Sequence, residues 1–308
     1  MQVRSVAILG AGAIGAFFVE RFSSAADIST MVIARGERYG RLKRLGLVVN
    51  GKAYAPLVVH ADEASAPADL IFVALKHHQL PDGVHDLRRL VGDRTNIVSA
   101  MNGLDSEETI GSVYGAEKVL YGVSVGIDAV RQENRITYTT GGKLYFGEAD
   151  NRQPSPRVRM VQAALDRAGI AYETPADMKR MLWWKFMVNV GMNPSSAVLR
   201  APYGTFQSSP DARTLMEALM REVLVLAGAA GVNLVEKDIE DWYAVLDTLS
   251  PQGKTSMLQD VEAGRKTEVE MLAGKVVELG QVYGIETPVN RTMLQIIRAM
   301  EQSMGIVG

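Results

Sequence analysis

The feature that most constrains this chain is a glycine-rich turn near its N-terminus. The turn has the spacing G-x-G-x-x-G and consists of Gly10, Ala11, Gly12, Ala13, Ile14 and Gly15. It follows an apolar, β-branched run at Val3–Leu9 and opens a stretch with helical periodicity. A strand, a tight glycine turn and a helix in this order are typical of a parallel sheet that binds a dinucleotide.

The three glycines have different physical roles in such a turn. Gly10 permits the tight bend, Gly12 lets backbone amides approach a pyrophosphate, and Gly15 allows the helix to pack closely on the strand. The first amides of the helix and its dipole favour the anion. A glycine turn without a ligand is the alternative, and the strand before it and the helix after it disfavour that interpretation.

The end of the second predicted strand indicates which dinucleotide is bound. An NAD site usually has Asp or Glu there, about 20 residues beyond the glycines, to accept from the ribose hydroxyls. This chain instead has Ala34-Arg35-Gly36. Arg35 offers a planar cationic fork to a 2′-phosphate, with Arg38 as a second candidate, so the sequence favours NADP(H). A solvated arginine in an arginine-rich segment is the alternative.

Alternating strand and helix patterns in the first half predict a mostly parallel sheet. The first strand candidates are Val3–Leu9, Thr30–Ala34, Leu70–Ala74 and Asn96–Ser99. Val119–Ile127, Arg135–Thr140 and Lys143–Gly147 are predicted to extend this sheet, with Gly141-Gly142 as a hairpin turn between the last two.

Beyond residue 176 strand patterns nearly vanish and helical periods dominate. The predicted helices are Met178–Asn193, Asp211–Ala230, Leu234–Leu249, Thr255–Tyr283 and Val289–Met304. The predicted fold is therefore α/β, with an N-terminal Rossmann-type doubly wound sheet over residues 1–175 and an all-helical C-terminal domain over residues 176–308. Thr174–Asp177, interpreted as a strand exit and a helix cap, marks the boundary. The active site is expected in the cleft between the domains.

Composition excludes several classes of protein. The formal net charge of -2 provides no broad basic surface for nucleic acid. The absence of cysteine excludes disulfides and thiolate metal sites. No basic leader precedes a long apolar run, and no window approaches the ~20 apolar residues of a membrane helix. We therefore expect a soluble, cytoplasmic protein with a small-molecule substrate.

A polar stripe in the second half has the spacing of one helix face. Lys185, Asn189 and Asn193 recur every fourth residue and would span ~80° of a helix, so all three can face one cleft. A solvated helix face is the alternative. The apolar neighbours of the stripe argue for burial, and they are Leu182, Trp183, Phe186, Met187 and Val188.

Four further segments, taken with the glycine turn, resemble the ketopantoate reductase family over nearly the whole chain. They are Leu75-Lys76-His77-His78-Gln79, Asn102-Gly103, Lys185-x-x-x-Asn189-x-x-x-Asn193-Pro194, and Ser256-Met257-x-x-Asp260 with Gly264-Arg265-x-Thr267-Glu268. The resemblance implies NADPH-dependent reduction of 2-dehydropantoate to (R)-pantoate in pantothenate and coenzyme A biosynthesis. It also implies a helical domain similar to the C-terminal domain of 6-phosphogluconate dehydrogenase.

The resemblance also assigns roles to residues. Lys185 would be the general acid that protonates the developing alkoxide, and Glu268 would interact with the catalytic constellation. Asn189, Asn193 and Ser256 would contact substrate. Lys76 would be a cation on the cofactor and substrate side, and Asn102 would lie near the nicotinamide ribose and substrate. For Glu268 a solvated position, and for Asn102 an ordinary turn, are the alternatives.

Ser256 and Glu268 can meet one small acid only if the helix that carries them breaks. Twelve residues of continuous helix would separate them by ~18 Å and ~120°. Gly264-Arg265 is the predicted break, because glycine has a poor helix propensity. Asp260 is expected to be a structural partner rather than a ligand of substrate.

Two departures from the family pattern leave rival functions open. The chain has His77-His78 and Met101 where the family commonly has other residues, so a paralogous reductase of another 2-oxo acid is one rival. A non-catalytic NADP(H)-sensing protein is the other, and the retained polar residues disfavour it. We expect no metal at the paired histidines, because neighbouring side chains point in different directions. Long amphipathic helices fit either a homodimer or burial within one chain.

Overall fold

The computed structural model describes residues 2–306, and these divide between Met181 and Leu182 into two compact units. The predicted domain boundary after residue 175 lies slightly earlier in the chain and stays a prediction. Within residues 2–306, no helix has both the length and the apolar character needed to cross a membrane.

The first unit contains two sheets. Its strands are β1 Ser5–Leu9, β2 Ser29–Ala34, β3 Leu47–Val49, β4 Lys52–Tyr54, β5 Leu57–His60, β6 Leu70–Val73, β7 Asn96–Ser99, β8 Val119–Ile127, β9 Val130–Gln132, β10 Arg135–Thr137, β11 Gly141–Gly147 and β12 Tyr172–Glu173. The large sheet has the order β12-β11-β8-β7-β6-β1-β2-β5, and the small sheet has the order β4-β3-β10-β9.

Strand β1 lies at the switch point of the large sheet. It pairs in parallel with β2 on one side and with β6 on the other, so the chain extends the sheet first in one direction and then in the other. Strands β7 and β8 continue in parallel beyond β6. Ligands of such sheets bind at the carboxyl edge beside the switch point. The predicted doubly wound α/β fold is confirmed.

Side chains of the central strands alternate between two cores, one on each face of the sheet. Val6 and Ile8 belong to the core that contains Phe72, whereas Ala7 and Leu9 belong to the other. Burial on both faces explains why the strands are continuous apolar runs rather than alternating ones. The helices of this unit are α1 Ala13–Ser23, α2 Gly36–Leu45, α3 Leu80–Gly83, α4 Ser106–Tyr114 and α5 Pro156–Arg167.

The predicted hairpin at Gly141-Gly142 is wrong. Strand β11 pairs with β8 in antiparallel and with β12 in parallel, whereas β10 belongs to the small sheet. Ile136 of β10 is fully buried and pairs in register with Val49 of β3. A strand pattern predicts that a strand exists but not its partner, because a partner distant in sequence is chosen by burial. The short strands β3, β4, β5 and β9 were missed.

In the described part of the second unit, residues 182–306, all regular secondary structure is helical. The helices are α6 Met178–Leu199, which begins before the division, and α7 Tyr203–Ser208, α8 Pro210–Ala229, α9 Glu236–Leu246, α10 Ser256–Glu262, α11 Lys275–Tyr283 and α12 Pro288–Ser303. The predicted cap before α6 is confirmed, because the backbone amide of Arg180 donates to Asp177 Oδ1 at 2.9 Å. Helix α6 continues beyond its predicted end at Asn193, through Pro194.

The predicted long helix Thr255–Tyr283 is broken. Helix α10 ends at Glu262, and Gly264 follows with a φ of +61°, a left-handed conformation that favours glycine. A π-helical turn at Glu270–Gly274 then leads into α11. The break lies at the predicted position, so Ser256 and Glu268 are not constrained by one continuous helix.

Candidate active site

The glycine turn has the geometry of a dinucleotide cradle. Gly10 has a φ of +98°, and a Cβ there would lie 2.5 Å from the carbonyl oxygen of Ala74. A Cβ at Gly15 would lie 1.7 Å from the carbonyl oxygen of Gly10, so helix α1 packs directly on the turn. These contacts leave no room for a side chain at either position.

Gly12 differs from its two neighbours. A Cβ at Gly12 would meet nothing within 4 Å, so the space beside this residue is open in the protein alone. Gly12 is also the N-cap of α1, where no side chain caps the helix and no acidic residue lies in the first turn. Open space, amides without side-chain partners and a helix dipole suit a pyrophosphate.

Three other predicted residues follow the ends of neighbouring strands. Arg35 comes directly after β2, Lys76 follows β6, and Asn102 follows β7. Because these strands and β1 are parallel, all three residues lie at the edge of the sheet that also carries the glycine turn. The first unit therefore gathers every residue that the sequence assigns to the cofactor.

The loop that carries Asn102 is closed by a buried network that sequence reasoning missed. The hydroxyls of Ser99 and Ser106 lie 2.7 Å apart, and Ser106 Oγ donates to Glu107 Oε2 at 3.0 Å. Burial raises the pKa of Glu107 to about 7. Gly103 has a φ of +107° in this loop. Glutamate is common in the first turn of helices, so the position of Glu107 in the sequence does not indicate that it is buried.

A cavity of about 1050 Å³ lies beside the glycine turn within the first unit. Its walls include apolar residues from the ends of β1 and β2 together with charged residues and histidines from three segments. The charged and histidine residues are Arg35, Arg38, Asp62, His78, Asp82, His85, Asp86, Arg88 and Arg89. The volume and the position suit the adenosine half of a dinucleotide.

Arg35 is not a free cation at this cavity. Its Nε donates to Asp86 Oδ1 at 2.5 Å, and its Nη2 donates to Asp62 Oδ1 at 2.9 Å. The hydrogen bond and charge of Asp86, with a smaller contribution from Asp62, raise the pKa of Arg35. The two aspartates lie far from Arg35 in sequence and were not predicted, because no local pattern links them.

The residues that depart from the family pattern have structural partners. His77 Nε2 lies 3.2 Å from Asp105 Oδ1, beside the start of α4. Met101 is buried in the core that contains Leu9, so the structure gives it a packing role. Within residues 2–306, no group of three or more His, Cys, Asp or Glu side chains could hold a metal ion.

The polar stripe of the second unit lies on α6 and is embedded in apolar side chains. Asn189 and Asn193 are buried, and Lys185 remains partly exposed. The apolar residues Phe186 and Met187 between them are buried. Burial alone lowers the pKa of Lys185 to about 8. The stripe is therefore not a solvated helix face.

A hydrogen bond links Ser256 to this stripe. Ser256 Oγ, at the start of α10, donates to Asn193 Oδ1 at 3.3 Å. The neighbouring Thr255 Oγ1 donates to Ser196 Oγ at 3.1 Å and so ties α10 to α6. The Asn193 oxygen accepts from Ser256, and no other side-chain hydrogen bond of Asn193 is formed within residues 2–306, so its NH₂ group can donate to a carboxylate.

The segment between the helix break and the π-helical turn is held from both sides. Arg265 Nε donates to Asp260 Oδ1 at 2.9 Å, the structural role expected for Asp260. Glu301 of α12 accepts from the amide and the hydroxyl of Thr267 at 2.7 and 2.6 Å. Thr267 directly precedes Glu268, so the backbone at the predicted catalytic carboxylate is fixed. No local pattern in the sequence indicates this role for Glu301.

Profiles of known families match both units. "Ketopantoate reductase PanE/ApbA" matches residues 6–151, and "Ketopantoate reductase PanE/ApbA C terminal" matches residues 177–301. The chain belongs to the ketopantoate reductase family. The resemblance seen in the sequence is confirmed, and the chain is an oxidoreductase with a nicotinamide cofactor, as predicted.

Individual relatives agree with the family over the full length. The 2-dehydropantoate 2-reductase of Archaeoglobus fulgidus is 31% identical over 304 residues, covering 99% of this chain and 100% of that protein. The crystal structure of 2-dehydropantoate 2-reductase from Methylococcus capsulatus is similar with a TM-score of 0.82 at 26% identity, covering 97% of each chain. A D-mandelate dehydrogenase bound to NADH and anilino(oxo)acetate shares the fold, with a TM-score of 0.90 at 21% identity, covering 98% of this chain and 100% of that chain.

Proposed function

We propose that this protein reduces 2-dehydropantoate to (R)-pantoate with NADPH, the step that serves pantothenate and coenzyme A biosynthesis. The proposal is supported by a curated relative with that activity name, 31% identical across the whole chain. It is also supported by the arginines at the end of β2, where an NAD site would usually carry a carboxylate.

The single observation that carries the mechanism is the state of Lys185. Its side chain is only partly exposed, and this burial lowers its pKa to about 8. A protonated amine with this pKa predominates at neutral pH and releases its proton more readily than a surface lysine. Both properties are those of a general acid that works near its own pKa.

The proposed reaction needs one hydride and one proton. NADPH, when bound along the glycine turn, supplies the hydride to the keto carbon. As the carbonyl π electrons move to oxygen, Lys185 stabilises the growing negative charge and then donates its proton to form the hydroxyl. The amine is left neutral and regains a proton from solvent before the next turnover.

Orientation of the substrate is assigned to the amides of α6 and to Ser256. Asn193, whose oxygen accepts from Ser256, presents its NH₂ group to the substrate carboxylate. Asn189 lies one helical turn nearer to Lys185 and takes a substrate hydroxyl. Asn102 and Lys76 are assigned to the nicotinamide side, and Glu268 is assigned to the catalytic constellation, as the family resemblance implies. Neutral amides fix the substrate without competing with Lys185 for its negative charge.

The test is the rate of NADPH oxidation by the purified protein with a panel of 2-oxo acids. We expect the highest kcat/KM with 2-dehydropantoate and a lower value when NADH replaces NADPH. A higher kcat/KM with an aryl or unbranched 2-oxo acid would identify a paralogous reductase instead. No oxidation with any 2-oxo acid, in a sample that still binds NADPH, would contradict the reductase proposal.

A further inference from the structure

The cavity beside the glycine turn contains charges of both signs, so its affinity for an anion depends on which cations are already compensated. Its four arginines are Arg35, Arg38, Arg88 and Arg89, and its three carboxylates are Asp62, Asp82 and Asp86. A nicotinamide dinucleotide with a 2′-phosphate carries about two more negative charges on its adenosine ribose than one without it. The arginine that meets those charges determines the choice between the two cofactors.

Arg35 is poorly suited to be that arginine. Two of its three nitrogens already donate to carboxylates, at 2.5 Å to Asp86 and at 2.9 Å to Asp62. The Asp86 side chain is only 14% exposed, so solvent screens this pair less than it screens the pair with Asp62, which is 63% exposed. A phosphate that approached Arg35 would have to lie beside two negative charges.

Arg38 has the opposite surroundings. It lies in the first turn of α2 and lines the same cavity, and its side chain makes no hydrogen bond or ion pair with any residue between 2 and 306. Burial, together with the like charge of Arg41, lowers the pKa of Arg38. A partly desolvated guanidinium that faces another cation gains more from an incoming anion than a compensated one does.

The other two arginines of the cavity are solvated. Arg88 and Arg89 follow the segment that carries Asp86, and both are exposed to water. Exposed charges are screened by water and salt, so each adds little to the binding of an anion at a defined position. Among the cavity cations, Arg38 therefore combines partial burial with the absence of an acidic partner in the described chain.

We propose that Arg38, rather than Arg35, determines the preference for a 2′-phosphorylated cofactor, and that Asp62 and Asp86 weaken this preference by compensating Arg35. The inference rests on the proposed use of NADPH and names the residues that set its strength. The arginine at the strand end, which the sequence identified first, then serves mainly to hold the loops after β5 and α3 against the cavity.

The experiment measures binding of two cofactor fragments that differ only by the 2′-phosphate, 2′,5′-ADP and 5′-AMP, by calorimetry at fixed ionic strength. These fragments carry neither nicotinamide nor substrate, so the result is independent of any 2-oxo acid turnover. The ratio of the two affinities isolates the contribution of the 2′-phosphate. The variants are Arg38→Ala, Arg35→Ala and Asp86→Asn, and Arg44→Ala is the matched control, because Arg44 is an exposed arginine of α2 outside the cavity.

We expect Arg38→Ala to lower the ratio about tenfold or more, since a charge-assisted hydrogen bond is lost. Arg35→Ala should lower it by about threefold at most, because an exposed, compensated cation contributes little. Asp86→Asn should raise the ratio by about threefold by freeing the charge of Arg35. The ratio cancels any change in affinity that is common to both fragments, and thermal melting should show that each variant is folded.

Each other outcome has a definite meaning. If Arg35→Ala abolishes the preference for the fragment with the 2′-phosphate and Arg38→Ala retains it, this inference is overturned while the proposed use of NADPH stands. Equal affinities for the two fragments in the unchanged protein overturn both this inference and the proposed NADPH specificity. A protein with the expected ratios that fails to reduce 2-dehydropantoate contradicts only the proposed substrate.

Discussion

The glycine-turn edge of the first unit and the α6 stripe of the second unit handle charge in opposite ways. At the edge, backbone amides and a helix dipole face open space beside Gly12, and Arg35 is compensated by two aspartates. On the stripe, Lys185 carries its positive charge on a partly exposed side chain whose pKa is lowered by burial, with no acidic group among residues 2–306 contributing to the shift. The first arrangement suits binding, and the second suits proton transfer.

The physical reason for the difference is solvent. An ion pair between exposed side chains contributes only about 0–1 kcal/mol to stability. A charged ligand can therefore bind at the glycine-turn edge and leave it without a large change in the pKa of the side chains there. Burial changes the relative free energy of the two protonation states, so a buried ammonium acquires a pKa near the working pH. In the proposed mechanism, one chain would therefore separate recognition of anions from acid catalysis by the degree of burial.

The strongest test of this comparison is Lys185→Ala. We expect kcat for 2-oxo acid reduction to fall by about 10²–10⁴, the usual contribution of a general acid, with cofactor affinity unchanged. Steady-state kinetics and NADPH titration measure the two quantities. Lys179→Ala is the matched control, because Lys179 is an exposed lysine on the same helix. Wild-type turnover in Lys185→Ala would remove the proposed proton donor.

Two glycine variants test the binding side of the comparison. Gly12→Ala places its Cβ in open space, so we expect unchanged melting but NADPH binding weaker by about tenfold to a hundredfold, because the methyl group occupies the place of the pyrophosphate. Gly15→Ala should instead lower the melting temperature, since its Cβ would lie 1.7 Å from a backbone oxygen. Normal NADPH affinity in a folded Gly12→Ala variant would contradict the cradle.

The pH dependence of kcat/KM should distinguish the α6 stripe from the glycine-turn edge. The pKa of Lys185 is lowered to about 8, and the acid form must be present for reduction. Activity should therefore be constant below this pH and fall about tenfold per unit as pH rises above it. Affinity for 5′-AMP, which depends on the edge, should show no step near pH 8. An activity plateau that extends beyond pH 9 would mean that the proton comes from another group.

The smallest effect is expected for Ser256→Ala. Loss of the hydrogen bond to Asn193 Oδ1 leaves that amide free to rotate, so KM for the 2-oxo acid should rise about threefold to tenfold with a smaller change in kcat. Ser303→Ala, at the exposed end of α12, is the control. A fall in kcat alone, with KM unchanged, would assign Ser256 to the chemical step instead of to orientation.

Much of the fold and of the candidate site could be predicted because the relevant signals are local. The glycine turn, the apolar strands and the four-residue spacing on α6 each depend on neighbours within a few residues, where the helix and strand periods operate. The break near Gly264 was predictable for the same reason. The partner of β10 was not, because several pairings satisfy the same apolar pattern.

The sequence by itself determined the family, the doubly wound sheet and the identity of the polar residues, since these depend on local order and composition. Only the tertiary structure decided which charges are compensated. Arg35 meets Asp62 and Asp86 across 27 and 51 positions, and Ser256 meets Asn193 across 63. Contacts of this range depend on how whole elements pack, and burial at the packed position then sets the electrostatics of each group.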